Sequence, residues 1–538
     1  MLQNRHSLSL PTRCDTMFYP TFRRNGSNKA TYLVMGHHPF QSPTANDKAL
    51  PANKMEKEIY KSIWSLSPHV MDRPTHTELQ RLTRELVRLY DLEGRLDEHP
   101  FSSARERVLS LPFALVNKEL ANGTCLITGG LGCVGTALVE ALLRFDVRRI
   151  VVLDIRTDLE ASAKVFGHEN VVNITCDILD FSAVMAVFSS CRPDFVFHTA
   201  AQRDPGYAET HIADTVQTNI LGTFNIVRAC ELLGTVKQCV FSSTGKASRY
   251  FTEEIYAGTK RTCEFILDAY AKESSVRYSM VRFTHILDNS LMDEQLKRAS
   301  EHNDYVAVHS PGKFVTAQNV KEAACLMLNA LIYSEEKQCK LLLVKNLEWP
   351  VESLKMALYY IKHSGRDVPV IFQGNPNGYT EKFFRGQLDW SDPAELNLLI
   401  NVYENKHSNY NREADIVISH ICSTNKHALE QVLRQLSEAL GEEETKTRLV
   451  EGLKLLVREM LRNVTRQLTA NILNWGLQPH LLEIEKAKIC DYGEMIPLLF
   501  ESLAGSDYHD KVDSLVRSGE LFNALPSLDN ANFAHQKH

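Results

Sequence analysis

The stretch Thr124-Cys-Leu-Ile-Thr-Gly-Gly-Leu-Gly-Cys-Val-Gly135 decides the fold. A short apolar run over 125–128 ends in glycines at 129, 132 and 135, and a helical pattern follows over 136–143. Glycine at these points permits a tight turn, close backbone approach to a phosphate, and close packing of helix on strand. The helix N-terminus then offers unpaired N–H groups and the positive end of its dipole to a pyrophosphate. A glycine triplet alone is weak evidence. Here the next apolar run, Ile150-Val-Val-Leu-Asp154, also ends in an acid, as a dinucleotide-binding βαβ unit requires. Gly129, Gly130, Gly132, Cys133, Val134 and Gly135 are the expected pyrophosphate turn. The Asp154 carboxylate would accept both ribose hydroxyls, which favours NAD, whereas Arg156 would pair with the 2′-phosphate of NADP. NAD is the first choice.

Outward from this unit, apolar runs at 125–128, 150–154, 171–176, 195–198, 239–242 and 278–283 alternate with helix-length segments. That rhythm predicts an α/β fold, a Rossmann-like doubly wound parallel sheet with α-helical N-terminal and C-terminal extensions. A seventh run at 340–344 follows a helical pattern over 320–332. Residues 1–55 lack periodicity and read as a loosely ordered arm with a short strand at 30–35. A helical pre-domain is expected over 56–118, where Leu79, Leu82, Leu86, Leu89 and Leu92 recur at three- and four-residue steps and Thr75 and Thr77 are candidate caps. The dinucleotide domain spans 119–394, its substrate-binding part about 285–390. Beyond it the strand signal fades, and 395–538 reads as a separate helical region with amphipathic helices over 428–440 and 446–475. The stripe Leu449, Leu453, Leu456, Met460, Val464 and Leu468 is a packing surface, used in cis or as a dimer seam. The acidic run at 442–444 suits the start of a helix.

The 538 residues carry a net charge of −6, against a nucleic-acid partner, and length alone implies two to four packing units. The twelve cysteines include no Cys-x-x-Cys pair, which argues against a zinc knuckle or redox motif and fits a reducing, cytoplasmic setting. No apolar run approaches the roughly 18 residues of a membrane span, and the first twenty residues show no secretory pattern. His37-His38 reads as a solvated loop; no metal site is expected.

The Gly-x-x-Gly-x-x-Gly spacing resembles that of the extended short-chain dehydrogenase/reductases, the epimerase/dehydratase family. Further matches fall in order: Asp177-Ile178, His198-Thr-Ala-Ala201, Thr218-Asn-Ile-Leu-Gly-Thr223, Ser242-Ser-Thr244 and Tyr256-Ala-Gly-Thr-Lys260. The resemblance implies that Asp177 and Ile178 touch adenine and that Thr199, Ala200 and Ala201 lie beside the nicotinamide ribose. Asn219 and Ser242 join the cofactor residues, and Thr244, Tyr256 and Lys260 form the catalytic group. The four-residue step puts Tyr256 and Lys260 on one helix face. A nearby ammonium and the nicotinamide charge would favour the phenolate and make Tyr256 the base. Thr244 would donate to the substrate oxygen, and Lys260 would also hold the nicotinamide ribose. His198 shapes the pocket.

Within that family the chain resembles the CapD-like polysaccharide-biosynthesis branch, from Ser243-Thr-Gly-Lys-Ala247, Val281-Arg-Phe-Thr-His-Ile-Leu287 and the stretch Gly374 to Phe384. That branch carries an Asp, the acid for a departing hydroxyl, where this chain has Gly245. Lys246 remains, as a base or a phosphate partner; His285 replaces an Asn; and Lys313 is a candidate cation where the branch's Arg is missing. The resemblance implies an NAD(P)-dependent epimerase, dehydratase or oxidoreductase acting on a nucleotide sugar or related polyol, with dimerisation through helices of this domain. Two other readings stand beside it: an NAD(P)H-dependent reductase of a non-sugar carbonyl, and a weakly active cofactor-binding scaffold with helical interaction regions.

Overall fold

The computed structural model describes residues 52–66, 71–157, 167–289, 291–375, 378, 382–391, 397–485 and 487–518. The strand expected at 30–35 and the pair His37-His38 lie outside them. From Ala52 onward the chain is one compact unit. Helix α1 (Ala52–Leu66) and helix α2 (Arg73–Leu92) open it. Asp72, not Thr75 or Thr77, caps α2 by accepting from the Thr75 N–H at 2.8 Å, with Pro74 in the first turn. Leu79, Leu82 and Leu86 are buried, but the stripe then rotates to Tyr90 and leaves Leu92 exposed.

The central sheet is built from β1 (Thr124–Thr128), β2 (Arg149–Asp154), β3 (Val171–Thr175), β4 (Phe195–His198), β5 (Gln238–Thr244), β6 (Arg277–Phe283) and β7 (Lys340–Val344). Helix α3 (Cys133–Leu142) follows β1, α4 (Ile255–Ala271) follows β5 and α5 (Val320–Ile332) precedes β7. All seven expected strands are present and mutually parallel. Their continuous apolar character reflects helices on both faces. With β8 (Asn409–Tyr410) and β9 (Ile416–Ser419), the order is β8-β9-β7-β6-β5-β4-β1-β2-β3. The order reverses at β1, which pairs with β2 on one side and β4 on the other. A crevice therefore opens beyond the carboxyl ends of the strands at that point.

The C-terminal region differs from the expectation of a separate, purely helical region. β9 pairs antiparallel with β7, Leu342 opposite Ile418, and β8 extends that edge. The four residues between Asp415 and His420, three of them apolar, carry no period of their own; the edge of β7 decides their conformation. The helix expected over 446–475 is two helices, α6 (Gly441–Leu461) and α7 (Arg466–Gly476), because Thr465 caps the second. On α6 the residues Leu449, Leu453, Leu456 and Met460 are buried in cis, and a Cβ on Gly258 of α4 would lie 2.8 Å from Leu453 Cδ1. Every residue of α4 except Tyr256 and Tyr270 is buried, so this helix offers no face to a dimer. The acidic run also works in cis: Glu442 accepts from the N–H groups of Ile212 and Ala213 at 2.5 and 2.9 Å.

A fully buried ion network fastens this region to the sheet. On β6, Arg282 donates to Glu264 of α4 at 2.7 and 2.8 Å and to Glu404 at 2.6 and 2.8 Å. Arg261 reaches the same two carboxylates at 3.0 and 3.4 Å, and the Ser243 hydroxyl donates to Glu264 at 2.7 Å. Removing one charge from such a network leaves its partners uncompensated in a low dielectric. Glu404→Gln is expected to lower unfolding stability by about 3–5 kcal/mol in urea titrations. An unchanged midpoint would mean that packing alone holds the C-terminal region.

Candidate active site

One cleft of about 2190 Å³ runs along the carboxyl ends of the strands. At one end lies the glycine turn. Gly129 has φ +67°, and a Cβ there would sit 2.6 Å from Ala200 N; one on Gly135 would sit 2.4 Å from Gly129 O. Only glycine fits either place. α3 begins three residues earlier than the sequence suggested, with Gly132 as its cap, so Cys133, Val134 and Gly135 form its first turn. Their N–H groups are the unpaired donors of a helix start, the form of a pyrophosphate cradle. Gly130 does not line the cleft: a Cβ there would meet Val152 at 2.6 Å, so it serves close packing of turn against β2.

Asp154 ends β2 almost buried, accepting from Leu131 N at 2.9 Å and from Arg156 N at 3.0 Å. The half-exposed Arg156 side chain folds back on the same carboxylate, Nε to Oδ1 3.4 Å. Asp177, Ile178, Thr199, Ala200 and Ala201 line the cleft as expected. Asn219 does not. It is buried behind the wall, where Oδ1 accepts from Gln202 N at 2.8 Å and Nδ2 donates to Gln202 O and Thr259 Oγ1, both at 3.0 Å. It ties the loop after β4 to α4. His198 is equally enclosed, between Thr128 Oγ1 at 2.6 Å and Thr223 Oγ1 at 2.9 Å. Burial, reinforced by the Lys260 charge, pushes its pKa down to about 3, so it is a neutral strut.

Ser242, Thr244, Lys246, Tyr256 and Lys260 converge on the middle of the cleft. Thr244 lies beside the Tyr256 hydroxyl, near enough to influence its proton. The electrostatics of Tyr256 differ from the sequence expectation: burial raises its pKa, and the offsetting influences are Thr244 and the Arg203 guanidinium, not Lys260. Arg203 was missed from sequence because it follows the matched Thr-Ala-Ala segment and belongs to no pattern. Lys260 points to the strand, donating from Nζ to Ser242 O at 2.8 Å, and burial lowers its pKa to about 8.

Lys246 is held by two acceptors, Glu254 Oε2 at 2.7 Å and Gly378 O at 2.6 Å, and Arg249 shares that carboxylate at 3.0 Å. It is a fixed cation in the same cleft as Thr244, Tyr256 and Lys260. At Gly245 the space where an acidic side chain would start is filled: a Cβ there would lie 2.3 Å from Leu399 Cδ2. Leu399 arrives from the C-terminal region, its carbonyl bonded by Arg282 Nη1 at 2.9 Å, and no local signal marks it. His285 and Lys313 line the cleft on its far side, and burial lowers the His285 pKa.

A doubly wound sheet with a glycine cradle at its switch point and a Thr, Tyr and Lys group in the same cleft is the arrangement that the sequence resemblance to extended short-chain dehydrogenase/reductases implies. Residues 125–377 match the polysaccharide biosynthesis protein family, and this part of the chain is CapD-like. The capsular polysaccharide biosynthesis protein CapD of Staphylococcus aureus is 24% identical over 57% of this chain and 54% of its own length. A probable polysaccharide biosynthesis protein, EpsC of Bacillus subtilis, is 26% identical over 49% of this chain and 45% of its own. The chain thus spans about half the length of these relatives. A dTDP-glucose 4,6-dehydratase of Neisseria meningitidis is 27% identical over 45% of this chain and 67% of its own. Among solved structures, a UDP-glucose 4-epimerase of Thermus thermophilus in complex with NAD has a TM-score of 0.41 and 20% identity, covering 47% of this chain and 88% of its own.

The Lys260 environment makes a measurable prediction. In the unfolded chain its ammonium titrates near 10.5, in the fold near 8. Between those values the unfolded chain holds a proton that the folded one has released, so stability rises with pH across that window. Urea titrations at pH 7.5 and 10 are expected to show wild type gaining on the order of 3 kcal/mol relative to Lys260→Met. Parallel pH dependence of the two proteins would contradict the buried, cationic reading of Lys260.

Proposed function

We propose that the chain is an NAD(P)-dependent enzyme, with NAD the first choice, oxidising a carbinol of a nucleotide-activated sugar. The carrying observation is that the glycine cradle, the strand-end acid Asp154 and the Thr244–Tyr256–Lys260 group share one cleft. The fit of a nicotinamide dinucleotide rests on the tight turn, where Gly129 and Gly135 let backbone pack against backbone so closely that any side chain would clash, and on the helix start at Cys133 that opens on the cleft. Asp154 holds the adenosine ribose, Asp177 and Ile178 flank the adenine, and Lys260 orients the nicotinamide ribose. Such a cofactor, when bound, supplies reversible acceptance of hydride from a carbinol carbon.

Tyr256 Oη takes the hydroxyl proton, and Thr244 Oγ1 donates to the same substrate oxygen. Arg203, and the positive charge that the oxidised cofactor adds, draw the buried phenol toward phenolate, while Lys260 stays fixed on Ser242 O. A ketone in the substrate acidifies the neighbouring C–H, which opens epimerisation or elimination. With Leu399 filling the space at Gly245, an acid for water loss is missing at that position, which favours epimerisation or plain oxidation over dehydration. Lys246, fixed by Glu254, serves as a cation for the substrate. Nucleotide sugar as the substrate class is supported by the dTDP-glucose 4,6-dehydratase and dTDP-L-rhamnose 4-epimerase among the relatives. Among the described residues no helix is long and apolar enough to cross a membrane and the cysteines are unpaired, in keeping with a cytoplasmic setting.

The test incubates the protein with UDP-glucose and dTDP-glucose, with and without added NAD. The expected result is a changed sugar with little net nicotinamide reduction, and a 10²- to 10⁴-fold slower reaction in Tyr256→Phe, roughly what loss of a general base costs. Turnover unaffected by Tyr256→Phe removes the catalytic assignment. Stoichiometric NADH oxidation on a non-sugar carbonyl, with neither sugar nucleotide altered, replaces this reading by the reductase.

A further inference from the structure

We propose that the N-terminal hairpin of α1 and α2 positions the far wall of the cleft through Glu352. That wall includes His309 and Lys313, from the segment between two short strands, Val306–Val308 and Phe314–Val315, and both residues of the second strand. Gly312 turns there with φ +74° and donates its N–H to Glu352 Oε1 at 2.7 Å. Phe314 pairs with Glu352 across an antiparallel ribbon, and Ser353 N–H donates to Lys313 O at 2.9 Å. The loop that carries Lys313 and Phe314 into the cleft is therefore set by where Glu352 stands.

Glu352 is 7% exposed, and its second oxygen is held from the hairpin. It accepts from Tyr90 Oη at 3.2 Å and from Arg95 Nη2 at 3.4 Å. The Arg95 guanidinium lies 3.4 Å from the centre of the Tyr90 ring and also reaches Glu56 of α1 at 3.3 Å, while Tyr60 and Tyr90 share a 2.7 Å hydrogen bond. A carboxylate removed from water needs both oxygens satisfied, so the hairpin and the loop compete for no site but share one.

The hairpin belongs to the far wall and not to the glycine turn. Ile63, Leu79 and Leu86 share a core with Val306, Leu354, Leu358 and Val370, and Val370 N–H donates to Thr83 Oγ1 at 2.9 Å. The β1–α3 turn is backed by a different core. Tyr90, Arg95 and Glu352 do not line the cleft; they are positioning residues acting through the 309–314 loop. The hairpin also precedes the part of the chain, 125–377, that matches the family. Disturbing it should therefore alter substrate affinity while leaving dinucleotide binding alone. That last step rests on the nucleotide-sugar reading; the hold on the loop does not.

The experiment compares the full-length protein with Tyr90→Phe, Arg95→Gln and Arg95→Lys. Hydrogen–deuterium exchange of peptides covering 309–315 is expected to be about tenfold faster in Tyr90→Phe and Arg95→Gln, the loss expected for a hydrogen bond to a charged group. Arg95→Lys should recover part of it, and peptides covering 124–135 should be unchanged. With whichever of UDP-glucose and dTDP-glucose wild type turns over, KM should rise about fivefold to tenfold, with kcat within about twofold and NAD affinity unchanged. Unchanged exchange at 309–315, equal loosening at 124–135, or a fall in kcat with KM constant would each overturn the proposal. If wild type turns over neither sugar nucleotide, the proposed function fails, and the exchange comparison still decides whether the hairpin holds the loop.

Discussion

The four buried charges of Arg261, Glu264, Arg282 and Glu404 set the terms for everything around them. Each is stripped of water, so the cost of burial is offset by the hydrogen bonds that the four make with one another, although Arg261 Nε is left without a partner. The partners come from α4, β6 and the segment beyond residue 397, and Ser243 of β5 joins through its hydroxyl. Three parts of the chain must therefore arrive together directly behind the strand that carries Thr244. The same closure explains why the C-terminal region is no appendage. It supplies a charge to the core, two strands to the sheet and a helix that covers α4.

The site inherits its character from this arrangement. The segment that delivers Glu404 also delivers Leu399 to the space beside Gly245, and Arg282 holds the Leu399 carbonyl. An apolar side chain thus occupies ground where an acid would otherwise begin. Around Tyr256 the balance is between burial, which keeps its proton on, and Arg203 and Thr244, which ease it off. Lys260 is engaged with the strand and is itself weakened as a cation by burial. Burial therefore favours the neutral phenol, and any further positive charge brought beside it would favour the phenolate.

Legibility in the sequence followed locality. The glycine turn, Asp154 and the Tyr256–Lys260 step were readable because each is a chemical requirement met within a few residues of chain. The seven parallel strands were readable because burial on both faces demands continuous apolar runs. β9 was not, since four residues at a sheet edge take their conformation from β7. Asn219 matched a pattern by type, yet its side chain is spent tying Gln202 to Thr259 behind the wall. Arg203 and Leu399 belong to no motif and matter only through proximity.

By itself the sequence determined the dinucleotide end, because backbone sterics at Gly129 and Gly135 and the strand-end position of Asp154 are properties of short segments. Only the tertiary structure decided the other end. Which side chain fills the space at Gly245, which cation faces Tyr256, and how Glu352 joins the N-terminal hairpin to the cleft wall all depend on contacts between residues forty or more positions apart. Desolvation and packing act on neighbours in space, and the chain order carries no local record of them.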